Sequence, residues 1–122
     1  MRFLFVLSAI AWLVMTTDAE LLISVHGIVQ CAYNLGQEGQ SEVQLWDHNY
    51  VAPDTHIETV YADVNGFFHV QGKVSSINIV DPYLKFLYRC GGHQQFEQKI
   101  QVSGHNSDFS DVDMGKIILL EE

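Results

Sequence analysis

Short stretches in which apolar and polar residues alternate run along most of the chain. In Leu21 to Cys31, Ile23, Val25, Val29 and Cys31 share one parity while Ser24, His26 and Gln30 share the other. Glu42 to Asp47 sets Val43 and Leu45 on one side, Ile57 to Ala62 follows Pro53, and Gly66 to Gln71 puts Phe68 and Val70 together. Tyr83 to Cys90 groups Leu84, Phe86, Tyr88 and Cys90 against Lys85 and Arg89. Gln94 to Val102 sets Phe96, Ile100 and Val102 against Gln95, Glu97, Lys99 and Gln101, and Lys116 to Leu120 closes the series. A period of two is that of a half-buried strand, whose side chains point to alternate faces. Six or seven such segments at this spacing predict an all-β, antiparallel sandwich or barrel. Asn65-Gly66 carries the strongest hairpin signal, because both residues tolerate the positive φ of a tight turn. Gly91-Gly92 and Gly104 to Ser107 predict further turns, and Gly72 to Asp81 leaves room for a short helix or a loop. No repeat, linker or low-complexity tract divides the chain, so a single domain is expected.

Residues 1–19 carry a different pattern. Arg2 precedes the thirteen-residue run Phe3 to Met15, and Thr17-Asp18-Ala19 follows. A charged start, a short apolar stretch and small residues before the cut read as a secretory signal peptide cleaved after Ala19. The run is shorter than the ~20 apolar residues of a spanning helix; an uncleaved anchor is the alternative. Residues 20–122 then form the domain, with 5 Lys and Arg against 14 Asp and Glu and no second run long enough to span a bilayer. Secretion would place Cys31 and Cys90, the only cysteines, where a pair in a small domain is ordinarily a disulfide. Each falls on the buried parity of its segment, so the two can be bridged across a core. A free reactive thiol is the alternative.

The 122 residues are 48% apolar and 11% aromatic, which argues against disorder. The formal charge of -9 argues against a nucleic-acid binder, which needs Lys and Arg to displace condensed counterions. It also disfavours unaided docking on an anionic membrane. No nucleotide loop, kinase set or zinc-finger spacing occurs. The histidines at 26, 48, 56, 69, 93 and 105 show no metal-ligand spacing, and His26 and His69 fall on outward parities. No catalytic, cofactor or metal residue is therefore expected. Asp108, Asp111 and Asp113 with Ser107 and Ser110 form an oxygen-rich cluster that lacks the spacing of a calcium loop and reads as a solvated turn. No Asn-x-Ser/Thr triplet is present. Lys85 and Arg89 make a small basic spot on an acidic chain. Its plain reading is a cross-strand partner for an Asp or Glu, and its functional reading is a ligand contact. Trp46, Phe67, Tyr83, Ile118 and Leu120 lie on outward parities; they could supply the contacts of an oligomer, a homodimer included, or lie under loops or the other sheet.

Five pieces carry a resemblance: Val25-His26-Gly27-Ile28-Val29-Gln30-Cys31, the strand Glu42 to Asp47, Asp63-Val64-Asn65-Gly66-Phe67-Phe68, Asp81-Pro82-Tyr83-Leu84-Lys85 leading to Tyr88-Arg89-Cys90, and Asp113-Met114-Gly115-Lys116-Ile117. In this order and combination they resemble the transthyretin-like family, small secreted proteins best known from nematodes. The resemblance implies a seven- or eight-stranded transthyretin-like sandwich of Ig-like or prealbumin type. Many relatives carry further cysteines that this chain lacks. Within the motifs, Asp63 can bond the turn amides, Gly66 can take the positive φ and Phe68 can enter the core. Pro82 belongs at a strand start, with Asp81 capping the turn before it. The family has no general catalytic residue set, so the resemblance implies a secreted, non-catalytic binding or signalling module recognising a cell-surface protein or lipid. An anionic lipid would need a local basic patch such as Lys85 with Arg89, or a bridging calcium. A carrier of a small apolar ligand in a transthyretin-type oligomer is the alternative. The fold is shared with hydrolases that open 5-hydroxyisourate, but their C-terminal Tyr-Arg-Gly-Ser has no counterpart in Ile117-Ile118-Leu119-Leu120-Glu121-Glu122.

Overall fold

The computed structural model describes residues 20–32, 41–75, 79–90, 94–104 and 108–120. Residues 1–19, read above as a signal peptide, the expected turn at Gly91-Gly92, most of the one expected at Gly104 to Ser107, and the histidines at 93 and 105 lie outside the described residues. Seven strands follow in chain order: β1 Glu20–Cys31, β2 Glu42–Asp47, β3 Thr55–Tyr61, β4 Phe67–Ser75, β5 Pro82–Tyr88, β6 Phe96–Gln101 and β7 Val112–Leu119. They form a three-stranded sheet ordered β4-β1-β7 and a four-stranded sheet ordered β3-β2-β5-β6. The described residues contain no helix. β4 runs on through Ser75, which uses up the first part of the Gly72 to Asp81 stretch as strand; residues 76–78 are outside the described set.

The inward parities meet between the sheets. Ile23, Val25, Val29, Phe68 and Val70 from one sheet face Val43, Leu45, Leu84 and Phe86 from the other, and all are essentially buried. Phe68 and Phe86 touch edge to face across this core, ring centroids 5.7 Å apart, an arrangement that suits their quadrupoles. At one end Cys31, which closes β1, is joined to Cys90, which follows β5, with Cα atoms 5.7 Å apart. The bond therefore links one sheet to the other, as the two buried parities predict.

Two features depart from the sequence reading. The ladders are antiparallel except one: β1 and β7 run parallel, with a register shift between His26 and Ile28. Periodicity fixes which face a residue occupies but not the direction of its neighbour. The second departure is at Asn65-Gly66. The turn forms, with Asp63 Oδ1 accepting the amides of Asn65 and Phe67 at 2.9 Å each and Gly66 at φ 85°. Yet the strands it joins do not pair as a hairpin, since β3 lies in the four-stranded sheet and β4 in the three-stranded one. The turn is tied to β1 instead, where the Val29 amide donates to the Gly66 carbonyl at 2.8 Å. It is a crossing between sheets built with hairpin chemistry.

Candidate functional site

The outer face of the four-stranded sheet gathers aromatic rings and ammonium groups. On β2 the outward positions are Glu42, Gln44 and Trp46; on β5 they are Tyr83, Lys85 and Leu87; on β6 they are Glu97, Lys99 and Gln101. Register places Trp46 opposite Tyr83, Gln44 opposite Lys85, and Lys85 opposite Lys99. The Trp46 and Tyr83 rings are nearly parallel, 9° apart with centroids 6.4 Å apart, and His56 of β3 packs on the far side of Trp46 at 5.1 Å. Lys85 Nζ lies 4.6 Å from the centre of the Trp46 ring, and Lys99 Nζ lies 5.7 Å from that of Tyr83. Both distances fall within the reach of a cation-π contact.

A polar scaffold fixes these rings. Trp46 Nε1 donates to Gln44 Oε1 at 2.8 Å, and Gln44 in turn donates to the Glu42 carboxylate. Tyr83, only 9% exposed despite its outward parity, donates its hydroxyl to Asp54 Oδ2 at 2.7 Å. The other oxygen of Asp54 meets His48 Nδ1 at 2.9 Å and the Asn49 amide at 3.2 Å. Burial first, and then the bond to Asp54 with its charge, push the Tyr83 phenol up to about 12. The bond from Tyr83 is the largest cause holding the Asp54 carboxyl below its ordinary value, with the Asn49 amide and His48 adding to it. Beside this network a cleft of about 460 Å³ opens between His48, Asp54, Asp81, Tyr83, Lys99 and Gln101.

Asp81 does more than cap a turn. Its amide donates to Asp47 Oδ1 at 2.8 Å, and its carboxylate accepts the Tyr50 hydroxyl at 2.7 Å and the Gln101 amide group. It thereby ties the loop after β2 to β5 and β6. Pro82 opens β5, as its missing N–H requires.

The basic spot was expected at Lys85 and Arg89. Lys85 is on the outer face, but opposite it stand Gln44 and Lys99 rather than an Asp or Glu. Arg89 lies one residue beyond the end of β5 and is exposed. Lys99, directly opposite Lys85, is a further cation of the face. The outward parity of Lys99 was legible in Gln94 to Val102; its apposition to Lys85 depends on the β5–β6 register, for which alternation carries no signal.

Of the four described histidines two come together, the His26 and His69 rings meeting edge to face with centroids 6.3 Å apart. His26 and His69 sit opposite each other on the outer face of the three-stranded sheet, where His69 Nε2 is 2.7 Å from Ser24 Oγ and His26 lies 3.6 Å from Asp111 and 3.7 Å from Asp113. His48 and His56 belong to the other sheet's periphery. Among the described residues, no three His, Cys, Asp or Glu side chains are grouped to hold a metal. In the acidic cluster, Asp108 Oδ1 accepts from the Ser110 amide and hydroxyl, and Asp113 Oδ1 accepts from the Gly115 amide.

A model of the transthyretin-like family matches residues 26–110. The chain belongs to the transthyretin-like family. A search of curated proteins finds no match. Among solved structures, the crystal structure of a 9R-lipoxygenase from Cyanothece PCC8801 is similar, with a TM-score of 0.52 and 15% identity over 80% of this chain. This chain spans 16% of the length of that lipoxygenase, and likeness at that identity is one of fold alone. The span matched by the transthyretin-like model contains Trp46, Tyr83, Lys85, Lys99 and both cysteines of the disulfide. Among the described residues of this transthyretin-like chain there is no helix long and apolar enough to cross a membrane.

Proposed function

We propose that the protein is a secreted, non-catalytic recognition module that binds an anionic group of a cell-surface partner through the outer face of its four-stranded sheet. The observation that carries the reading is the apposition of Lys85 and Lys99 on neighbouring strands. Like charges directly opposite one another destabilise a sheet, and no described carboxylate forms an ion pair with either ammonium. An anion lying between them would relieve that repulsion, while Trp46 and Tyr83 offer an apolar floor beside it. On a chain of charge -9 such a patch works locally: the surrounding field opposes anionic surfaces, so only a ligand that reaches the two lysines is favoured. The disulfide fits an oxidising compartment.

Sedimentation of the purified protein with vesicles of graded anionic lipid content, with and without calcium, tests the lipid form of the ligand. Binding is expected to rise with anionic content and to fall at least about tenfold when Lys85→Glu and Lys99→Glu are combined. Vesicle binding that ignores these substitutions would sink the assignment of this face. Absence of vesicle binding would direct the search to an acidic cell-surface protein, with the same double variant as the control in affinity capture.

A further inference from the structure

Three donor side chains lie in one row across the three-stranded sheet. His26 of β1 stands opposite His69 of β4 on one side and opposite Asp113 of β7 on the other. His69 and Asp113 are exposed and His26 is half-buried. The backbone is shaped locally to make this row. Past His26 the register with β7 shifts by one residue, so that two steps along β1, to Ile28, match three along β7, from Asp113 to Lys116. The extra residue falls at Met114-Gly115, where Gly115 takes φ 66° and its amide donates to Asp113 Oδ1 at 2.8 Å. A bulge re-aims the side chain next to it, and here that side chain is the carboxylate beside His26. Gly27 permits the approach, since a Cβ there would stand 2.9 Å from the Gly115 carbonyl oxygen.

Each histidine already has one ring nitrogen turned to an oxygen. His69 Nε2 is 2.7 Å from Ser24 Oγ, and His26 Nδ1 is 3.6 Å from Asp111 Oδ1. A metal-bound imidazole has this outer shell: its second nitrogen donates to an oxygen, which fixes the ring and leaves the first nitrogen for the ion. The nitrogens left over are Nδ1 of His69 and Nε2 of His26. His26 Nε2 is 3.7 Å from Asp113 Oδ1, too long for a hydrogen bond and close to the ~3.4 Å that separates nitrogen and oxygen donors on a tetrahedral zinc. The His26 and His69 ring centroids are 6.3 Å apart, where the same bond lengths put two imidazoles sharing a zinc about 5 Å apart. As they stand the three donors do not meet at one point; a movement of about 1 Å in side chains with room to turn joins them.

We propose that His26, His69 and Asp113 bind a divalent transition-metal ion of the zinc type on the outer face of the three-stranded sheet. Two imidazoles and one carboxylate suit an ion of intermediate softness, whereas calcium and magnesium take sets of oxygens. Three protein ligands leave a fourth position for water or for an atom of a bound partner. The charge of -9 favours a cation here. Lys85 and Lys99 belong to the other sheet, so neither face depends on the other. Linear spacing conceals the site, because its donors come from three strands and only the β4-β1-β7 order and register bring them into a row.

Calorimetric titration of the chelator-treated, disulfide-bonded protein with zinc chloride tests the site, with the histidine ring-nitrogen resonances followed in parallel. One equivalent is expected to bind and to shift one ring nitrogen each of His26 and His69. His26→Gln, His69→Gln and Asp113→Asn are each expected to weaken binding at least about tenfold, and Asp111→Asn to weaken it about tenfold by loosening the His26 ring. Thermal melting without metal establishes that each variant folds. Asp113→Asn keeps an oxygen for the Gly115 amide, so it tests the site even where a histidine variant does not fold. Absence of saturable zinc uptake would overturn the proposal. So would binding of one equivalent that survives Asp113→Asn or the paired histidine substitutions, or that shifts the rings of other histidines instead.

Discussion

Asp54 and Tyr83 hold each other in opposite protonation states, and this sets how stability depends on pH. The aspartate's depressed value means that its contribution is present above the ordinary aspartate range, near about 4, and is lost as pH falls through the lower folded value. Tyr83 works from the other side. Its raised phenol contributes stability that is complete below about 10, the unfolded value, and is lost as pH rises through about 12. Denaturant unfolding across the pH range should show both limbs. Tyr83→Phe is expected to reduce the alkaline loss, leaving the share of Tyr50, whose phenol is raised by its bond to Asp81, and to shrink the acid one, because the tyrosine hydroxyl is the largest cause of Asp54's depression. An unchanged profile would show that other groups govern both limbs. None of this coupling is visible in the sequence: parity sets Tyr83 outward, and only the loop after β2, carrying Asp54 over the sheet, covers it.

Strands were more legible than their connections. β2 spans Glu42–Asp47, as alternation predicts, and Cys31 and Cys90 both point inward, because burial on one face leaves a period that can be read directly. The Asp63 to Gly66 turn shows the limit: Asp63 and Gly66 fix the local chain path, but whether the following strand pairs with the preceding one depends on core contacts far away in sequence. The two left-handed glycines separate local from tertiary demand. A Cβ on Gly66, at φ 85°, would stand 2.2 Å from the Val29 carbonyl oxygen, whereas one on Gly115, at φ 66°, would meet nothing within 4 Å. Gly115→Ala is therefore expected to cost about 1–2 kcal/mol, the conformational penalty alone. Gly66→Ala should cost more than that, since the turn must also move away from β1. Equal losses in chemical denaturation would contradict the role given to the Gly66–Val29 contact.

For the molecule as a whole, the disulfide is the covalent tie between sheets that also share a packed core, their crossings and the hydrogen bonds of Tyr88 and Gln98 to the end of β7. Its loop of 59 residues contributes about 4 kcal/mol on the chain-entropy model, a large part of the total stability of a domain this size. Replacing both cysteines by serine is expected to lower the unfolding free energy by that order, read from the denaturant midpoint. A change well below it would mean that the open chain retains the contact. That the bridge spans the core could be anticipated from two parities; that β1 lies between an antiparallel and a parallel neighbour could not. This central position has a consequence in time. β4 and β7 both follow β1 in the chain, and at synthesis rates of roughly 5–20 residues per second β7 emerges about 4–16 s after β1 is complete. Until then one side of β1 has no ladder and its apolar face no finished core. The strand made first is the last to have both neighbours, and that wait is when a nascent chain is most open to a wrong one.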